Sequence, residues 1–188
     1  MATGAPHHIF SYDEYLARER DTGLKHEFLS GEVFAMAGGT PEHARLITEV
    51  SYAIRSGLDP RQCRLFSSDL KINVEATGLA TYPDLAVVCG ELQRASRDEH
   101  AVVNPRVLVE VLSPSTEAYD RGDKWAHYRR IESLEAYVLV NQTRQRLELY
   151  EKQPSGEFIH RMAEAGEVLR VECLKLELVV DAIYAAAV

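Results

Sequence analysis

Cysteine is scarce in this chain. There are three in 188 residues, Cys63, Cys89 and Cys173, widely spaced and odd in number. No CxxC pair exists, so neither a zinc ribbon nor a disulfide framework is expected. Cys89, at the end of an apolar run, reads as a small buried hydrophobe. Net positive charge is lacking as well: the formal charge is −8, with a pI of about 5.4. That excludes a broad phosphate-binding surface and leaves room only for a local basic site. No apolar run is long enough to span a bilayer, because the C-terminal one is interrupted by Glu177 and Asp181. The stretch MATGAPHHIF has no charged leader followed by an apolar core. It is not expected to be a signal peptide, and the protein is expected in the cytoplasm.

What remains is a globular composition, 46% apolar and 27% charged, without repeats, linkers or low-complexity segments. One domain over residues 1–188 is expected. Ser11 opens a helix, and Glu14 completes a capping box. The segment KHEFLSGEVFAM reads as a hairpin turning at Ser30-Gly31, flanked by Glu27 and Glu32. A helix follows, capped by Thr40, with Pro41 in its first position and Gly57 stopping it. Leu46, Ile47, Val50 and Ile54 form its apolar stripe. The segment LFSSDLKINVEA reads as one strand, and DLAVVCG as the next after the turn GLATYP. Residues 91–104 are polar and read as a surface connection, in part helical.

The chain is organised around one short apolar run, RVLVEVLSPS, Arg106 to Ser115. It reads as a strand buried on both faces, held between Pro105 and Pro114. Glu110 sits in its middle, on the face of Leu108 and Leu112. A carboxylate there costs several kcal/mol or takes up a proton, unless a cation or donor meets it. Asp84, opening the strand DLAVV, and Lys124, on a helix expected from about Asp123, are the available partners. A strand AYVLVN follows that helix, so residues 106–142 form a crossover that favours parallel neighbours, while the GLATYP turn favours an antiparallel pair. The sheet is therefore expected to be mixed, with helices on its faces. RLELYEK, a strand near Ile159, a pair of strands in VLRVECLKLELVV and a terminal turn or helix in DAIYAAAV complete the chain.

Two acids and a lysine at the ends of adjacent strands suit phosphodiester hydrolysis with Mg²⁺ or Mn²⁺. Such a cation prefers carboxylate, carbonyl and water oxygens. Asp84 and Glu110 are the candidate ligands, with the Val111 carbonyl as a third, and Lys124 the candidate cation for charge developing in the transition state. His43, near a helix start, is an auxiliary candidate for contact with phosphate or metal-bound water. Lys71, on the strand before Asp84, rivals Lys124.

The pattern YPDLAVV, then NPRVLVEVLSPST, then DKWAHYRRIESLEAYVLV resembles the Uma2 family of restriction-endonuclease-like proteins, within the PD-(D/E)xK nuclease superfamily. The upstream GEVFAMAGGTPEH is also similar to that family, and the match runs from about His7 to Ile183. The resemblance implies an α/β (α+β) fold with a restriction-endonuclease-like mixed sheet. Its αβββαβ core would be flanked by helices, with an N-terminal hairpin and C-terminal strands added. It implies Asp84 as the motif aspartate, Glu110 as the second acid, and an auxiliary role for Glu32. The superfamily lysine is expected two residues after the second acid, where this chain has Leu112; Lys124 matches the lysine that Uma2-like sequences carry on the next helix. The expectation is a metal-dependent endonuclease (an endodeoxyribonuclease) acting on nucleic acid, DNA first, as a homodimer. The alternative is a non-catalytic nucleic-acid-binding or regulatory module that keeps the fold.

Overall fold

In the computed structural model, residues 8–36 and 38–185 are described. The reading of MATGAPHHIF as leader-free falls mostly on residues 1–7, outside them, as do residues 186–188 of the terminal DAIYAAAV segment.

Helix α1 (Tyr12–Thr22) starts with the capping box: the Ser11 side chain accepts from the Glu14 amide, and Glu14 accepts from the Ser11 amide at 2.7 Å. Ser11→Ala removes one half of that reciprocal pair. It is expected to lower stability by about 1 kcal/mol, read as a shift in the urea midpoint at unchanged slope.

The hairpin follows as β1 (His26–Leu29) and β2 (Glu32–Ala35), with Ser30 and Gly31 both at positive φ. That is the backbone a two-residue turn of the primed type requires. Helix α2 (Pro41–Gly57) is capped by Thr40 and buries Leu46, Val50 and Ile54, with Ile47 partly covered.

The segment LFSSDLKINVEA is not one strand. A turn closed by the Leu70 amide on the Ser67 carbonyl divides it into β3 (Cys63–Ser67) and β4 (Lys71–Val74), which enter different sheets. Strands β5 (Leu79–Thr81) and β6 (Leu85–Cys89) come next. Residues 91–104, expected as a surface connection with some helix, instead form a strand pair, β7 (Arg94–Ala95) and β8 (Asp98–Val102). Their polar composition reflects an outer edge, not a lack of backbone pairing.

The central strand β9 (Val107–Leu112) is buried at all six positions. The following helix starts earlier than the sequence indicates. It runs through α3 (Glu117–Tyr119), a π-helical turn at Asp120–Lys124, and α4 (Trp125–Tyr128). Then come β10 (Ala136–Asn141), β11 (Arg146–Lys152), β12 (Phe158–Glu164), β13 (Val168–Val171), β14 (Leu176–Val179) and α5 (Val180–Tyr184).

The strands form two six-stranded mixed sheets, in the orders β2-β1-β5-β4-β8-β7 and β12-β11-β10-β9-β6-β3, with β13-β14 as a separate pair. In the second sheet β9 runs parallel to β10, as the crossover between them requires, and antiparallel to β6, while the strands joined by a short turn, β4 and β5, pair antiparallel in the first sheet. This is the mixed α/β architecture expected, with the N-terminal hairpin absorbed into the first six-stranded sheet beside β5. Alternation along β9 divides the core. Val107, Val109 and Val111 face α2, α5 and the β13-β14 pair; Leu108 and Leu112 face the first sheet and the helix at 117–128. Glu110 therefore points between the two sheets.

Cysteine usage needs a correction. Cys63 and Cys89 are joined by a disulfide, since antiparallel pairing of β3 with β6 sets them directly opposite each other despite a sequence separation of 26. Register, invisible in spacing alone, makes them neighbours. Cys173 is free. No helix among the described residues is long and apolar enough to cross a membrane.

Candidate active site at the junction of the two sheets

Glu110 is 4% exposed, and both of its oxygens are engaged. Oε1 lies 2.9 Å from the Lys124 ammonium and accepts from the Tyr128 hydroxyl at 2.9 Å. Oε2 accepts from the Asp84 amide at 3.3 Å. The cation and donors that the buried carboxylate demanded are thus both supplied, by the π-helical turn and by α4. Asp84 answers in kind: its Oδ2 accepts from the Val111 amide at 2.7 Å. The two acids are stitched across the β6–β9 pair, each to the other's backbone neighbourhood.

Lys124, also 4% exposed, has two further acids within reach. Glu27 of β1 lies at 3.4 Å and Asp120, one turn earlier, at 3.5 Å. Glu27 is fixed in turn by the Thr81 hydroxyl at the end of β5. Asp120 and Lys124, four positions apart across the π-helical turn, share one face and are both buried, while Arg121, Gly122 and Asp123 stay at the surface or partly covered. Burial works against the ammonium charge, but Glu110, Glu27 and Asp120 together outweigh it and hold Lys124 firmly protonated. Burial pushes Glu110 the other way, up to about 8, against the pull of Lys124. Burial also raises the Asp120 carboxyl. The cluster holds more acid than Lys124 can neutralise, and Glu110 is the group that absorbs the excess.

His43, in the first turn of α2, reaches this end of the sheet. Its Nε2 lies 3.4 Å from Asp84 Oδ2. The hydrogen bond to Asp84 holds the imidazole above its ordinary range, against burial, with the Val111 backbone adding to it. The imidazole nitrogen occupies the point where the Asp84 carboxylate and the Val111 backbone come together, a place suited to positive charge. Asp84 is 16% exposed at its side chain, and its Oδ1 takes no hydrogen bond among the described residues. One acidic oxygen thus remains open.

The sequence-derived candidates divide cleanly. Asp84, Glu110, Val111, Lys124 and His43 are brought together. Lys71 is not: it is buried between Glu19 at 2.7 Å and Asp98 at 2.8 Å, in the first sheet, with its ammonium over the Tyr15 ring. Strand adjacency made it a rival to Lys124, but β4 and β6 belong to different sheets. Glu32 lies exposed on the edge strand β2, opposite Leu29; the hairpin acid that enters the cluster is its neighbour across the turn, Glu27. Asp120 and Tyr128 are further members that sequence reasoning did not single out. The signal for both was the i, i+4, i+8 spacing Asp120, Lys124, Tyr128 on one helix face.

Whether these residues suit a divalent cation is a question of donor chemistry. No group of three or more His, Cys, Asp or Glu side chains among the described residues is arranged to hold a metal. Mg²⁺, however, keeps several waters and takes one or two carboxylates, so two carboxylates and a carbonyl suit it. The open Asp84 oxygen and the cation-seeking point at His43 agree with that donor set.

Tyr128→Phe deletes a donor to Glu110 while keeping the ring that packs at 0% exposure. Lys124 still meets the same oxygen, so the expected loss is about 1.5 kcal/mol, measured by urea unfolding, the scale of one hydrogen bond to a charged group.

Comparison with known proteins places the chain. Residues 12–182 match the model of the Uma2 family, whose description reads "Putative restriction endonuclease". Two curated relatives are uncharacterized proteins of Synechocystis. One, slr1290, is 37% identical over 96% of this chain and 94% of its own length; the other, sll1609, is 34% identical over 77% and 81%. A crystal structure described as a putative nuclease belonging to DUF820, from Anabaena variabilis, superposes with a TM-score of 0.74. It covers 92% of this chain and 96% of its own at 19% identity, so the likeness is one of fold. With the family model covering nearly the whole chain and both relatives above 30% identity, this chain belongs to the Uma2 family.

Proposed function

We propose that the chain is a divalent-metal-dependent endonuclease that hydrolyses DNA phosphodiester bonds, working as a homodimer. The observation that carries this reading is the meeting of Asp84, Glu110 and Lys124 at one end of the β6–β9 pair, with Lys124 2.9 Å from Glu110. Asp84, Glu110 and the Val111 carbonyl would hold Mg²⁺ or Mn²⁺, which supplies Lewis acidity toward a phosphoryl oxygen.

The other tasks fall to the protein. Lys124, kept protonated by its three acids, donates to the oxygen on which charge grows as the bond breaks. Tyr128 and the Asp84 amide fix the two Glu110 oxygens so that no side-chain reorganisation is needed during the reaction. His43 orients Asp84 from the outer side. A homodimer suits an acidic chain with one modest site, because two sites facing one duplex share the cost of holding it. On this reading the enzyme acts in the cytoplasm, where reducing conditions would bear on the Cys63–Cys89 pair.

A second reading has its own support. Glu110 and Lys124 are both almost fully buried and satisfy each other, as a structural ion pair would. On it the chain is a nucleic-acid-binding or regulatory module that retains the fold. A cleavage screen over duplex, branched and single-stranded DNA and RNA, with Mn²⁺ and an EDTA control, separates the two. Metal-dependent cleavage of DNA supports the enzyme. Binding without cleavage on every substrate supports the module.

A further inference from the structure

Outside this site, the second sheet carries an aromatic ladder. Tyr137 pairs with Tyr150 across β10–β11, and Tyr150 with His160 across β11–β12, so the three rings line one face. Trp125 covers the first two rungs, stacked on Tyr137 at 5.5 Å and on Tyr150 at 4.6 Å. Phe158 meets the indole edge-on at 4.9 Å. The third rung is uncovered: His160 lies 4.7 Å from Tyr150, on the edge strand, with its side chain 37% exposed. Glu148 fixes the imidazole at 3.1 Å. The ladder therefore ends beside the indole in an open step, where one more planar ring would continue the stack.

That step opens into a groove of about 840 Å³. Its walls bring Arg129, Arg130 and Lys152 beside Trp125 and Phe158, against two acids, Glu132 and Glu157. Arg129 and Arg130 are adjacent in sequence, exposed, and form no ion pair among the described residues. On a chain of net charge −8, two adjacent guanidinium groups left free beside an open aromatic step are suited to an anion that carries a flat ring. Beneath the groove, rings run from Trp125 through the buried Tyr137 to the buried Tyr128, the donor to Glu110, with Tyr137 and Tyr128 at 5.3 Å.

We propose that this groove binds an unpaired DNA strand, with a base stacked on the open end of the ladder beside Trp125 and its flanking phosphates on Arg129 and Arg130. A base in a duplex has both faces covered by its neighbours and cannot enter the step. Stacking on aromatic side chains and backbone contact by cations together constitute sequence-tolerant single-strand binding. The inference rests on the nucleic-acid reading for its ligand class but not on catalysis.

The test is run in EDTA, so that binding is separated from cleavage. Trp125 is the only tryptophan and reports directly. Titration of the wild-type protein with short oligo(dT) is expected to quench its emission saturably. Duplex of matched length should bind about tenfold more weakly or less, without quenching. Replacing both Arg129 and Arg130 with Ala, two exposed positions, should reduce the salt slope by about 1.4, two phosphate contacts at about 0.7 each. His160→Ala, which removes the open rung itself, should weaken oligo(dT) binding by about tenfold, on the scale of one lost stacking partner. Each variant is first checked for a wild-type melting transition.

Absence of quenching in the folded wild type overturns the proposal, and so does equal binding of duplex. Loss of affinity in the arginine variant with none in His160→Ala reduces the groove to a charged patch and overturns it too. Tighter binding of oligo(U) than of oligo(dT) overturns the assignment to DNA. A Mn²⁺ cleavage assay on the same preparation keeps the two readings apart. Quenching without cleavage sinks the nuclease reading alone, and cleavage without quenching sinks this proposal alone.

Discussion

Lys124→Met is expected to destabilise the fold by about 3–5 kcal/mol, the cost of removing one partner from a buried ion pair. Methionine replaces most of the aliphatic stem, so little of the loss is packing. What is lost is the only cation among the described residues within 3.5 Å of Glu110, Glu27 and Asp120, at 2.9, 3.4 and 3.5 Å. The acids would then repel one another in a site closed to water. Proton uptake limits the damage: Glu110, already pushed up to about 8 by burial, is the group that would take the proton. The cost should therefore fall as the pH drops to about 8 and stay toward the lower end of the range below it. Urea unfolding of the variant checks this. Adding Glu110→Gln should recover part of the loss, because it removes one of the stranded charges; a single-variant loss below about 1 kcal/mol would place the pair in the class of weakly coupled surface bridges. On the nuclease reading, cleavage by the folded variant should fall by about 10²-fold, the loss of one transition-state donor.

That single residue also shows where sequence reading reaches and where it stops. The run Asp120-Arg-Gly-Asp-Lys124 reads as a charged, solvated helix face, and for Asp123 that is right. Asp120 and Lys124 are buried because the face they share with Tyr128, at i, i+4 and i+8, is the one that meets Glu110; the spacing shows that they share a face, and only the packing shows that this face turns inward. The strands were legible where apolar runs are continuous and bounded by Pro or Gly: β6, β9 and β10 follow directly from DLAVVC, VLVEVL and AYVLVN. The helices at Tyr12 and Pro41 were legible from their caps.

What escaped was set by partners distant in sequence. Glu27 and Glu32 look equivalent beside their turn, but only β1 is an inner strand, so only Glu27 faces the Thr81 hydroxyl and Lys124. Lys71 looked close to Asp84 along the chain, yet the turn at Ser67–Leu70 sends its strand to the other sheet, into the arms of Glu19 and Asp98. The same turn makes β3 the edge strand that meets Cys89. In each case the residue type was informative, and the missing quantity was register or sheet membership.

Asp84→Asn is expected to have the largest effect on function and a small one on stability. The carboxamide keeps the size of the side chain, and its oxygen can still accept from the Val111 amide, now 2.7 Å from Oδ2. The amide of residue 84 still donates to Glu110. The fold therefore loses only the charge that faces His43 at 3.4 Å, and the imidazole, no longer held above its ordinary range by that carboxylate, should titrate lower. The functional loss is of another order. If Asp84 and Glu110 hold the cation, asparagine removes half of the anionic charge from the donor set and the one oxygen left open among the described contacts. Cleavage in Mn²⁺ should then fall by about 10³-fold, the several kcal/mol a Lewis acid contributes, at about 1.4 kcal/mol per tenfold. Titration calorimetry with Mn²⁺ should show binding in the wild type and none in the variant at the same concentration. Equal Mn²⁺ affinity in both proteins would remove Asp84 from the metal site, and leave the buried acids as partners of Lys124 alone.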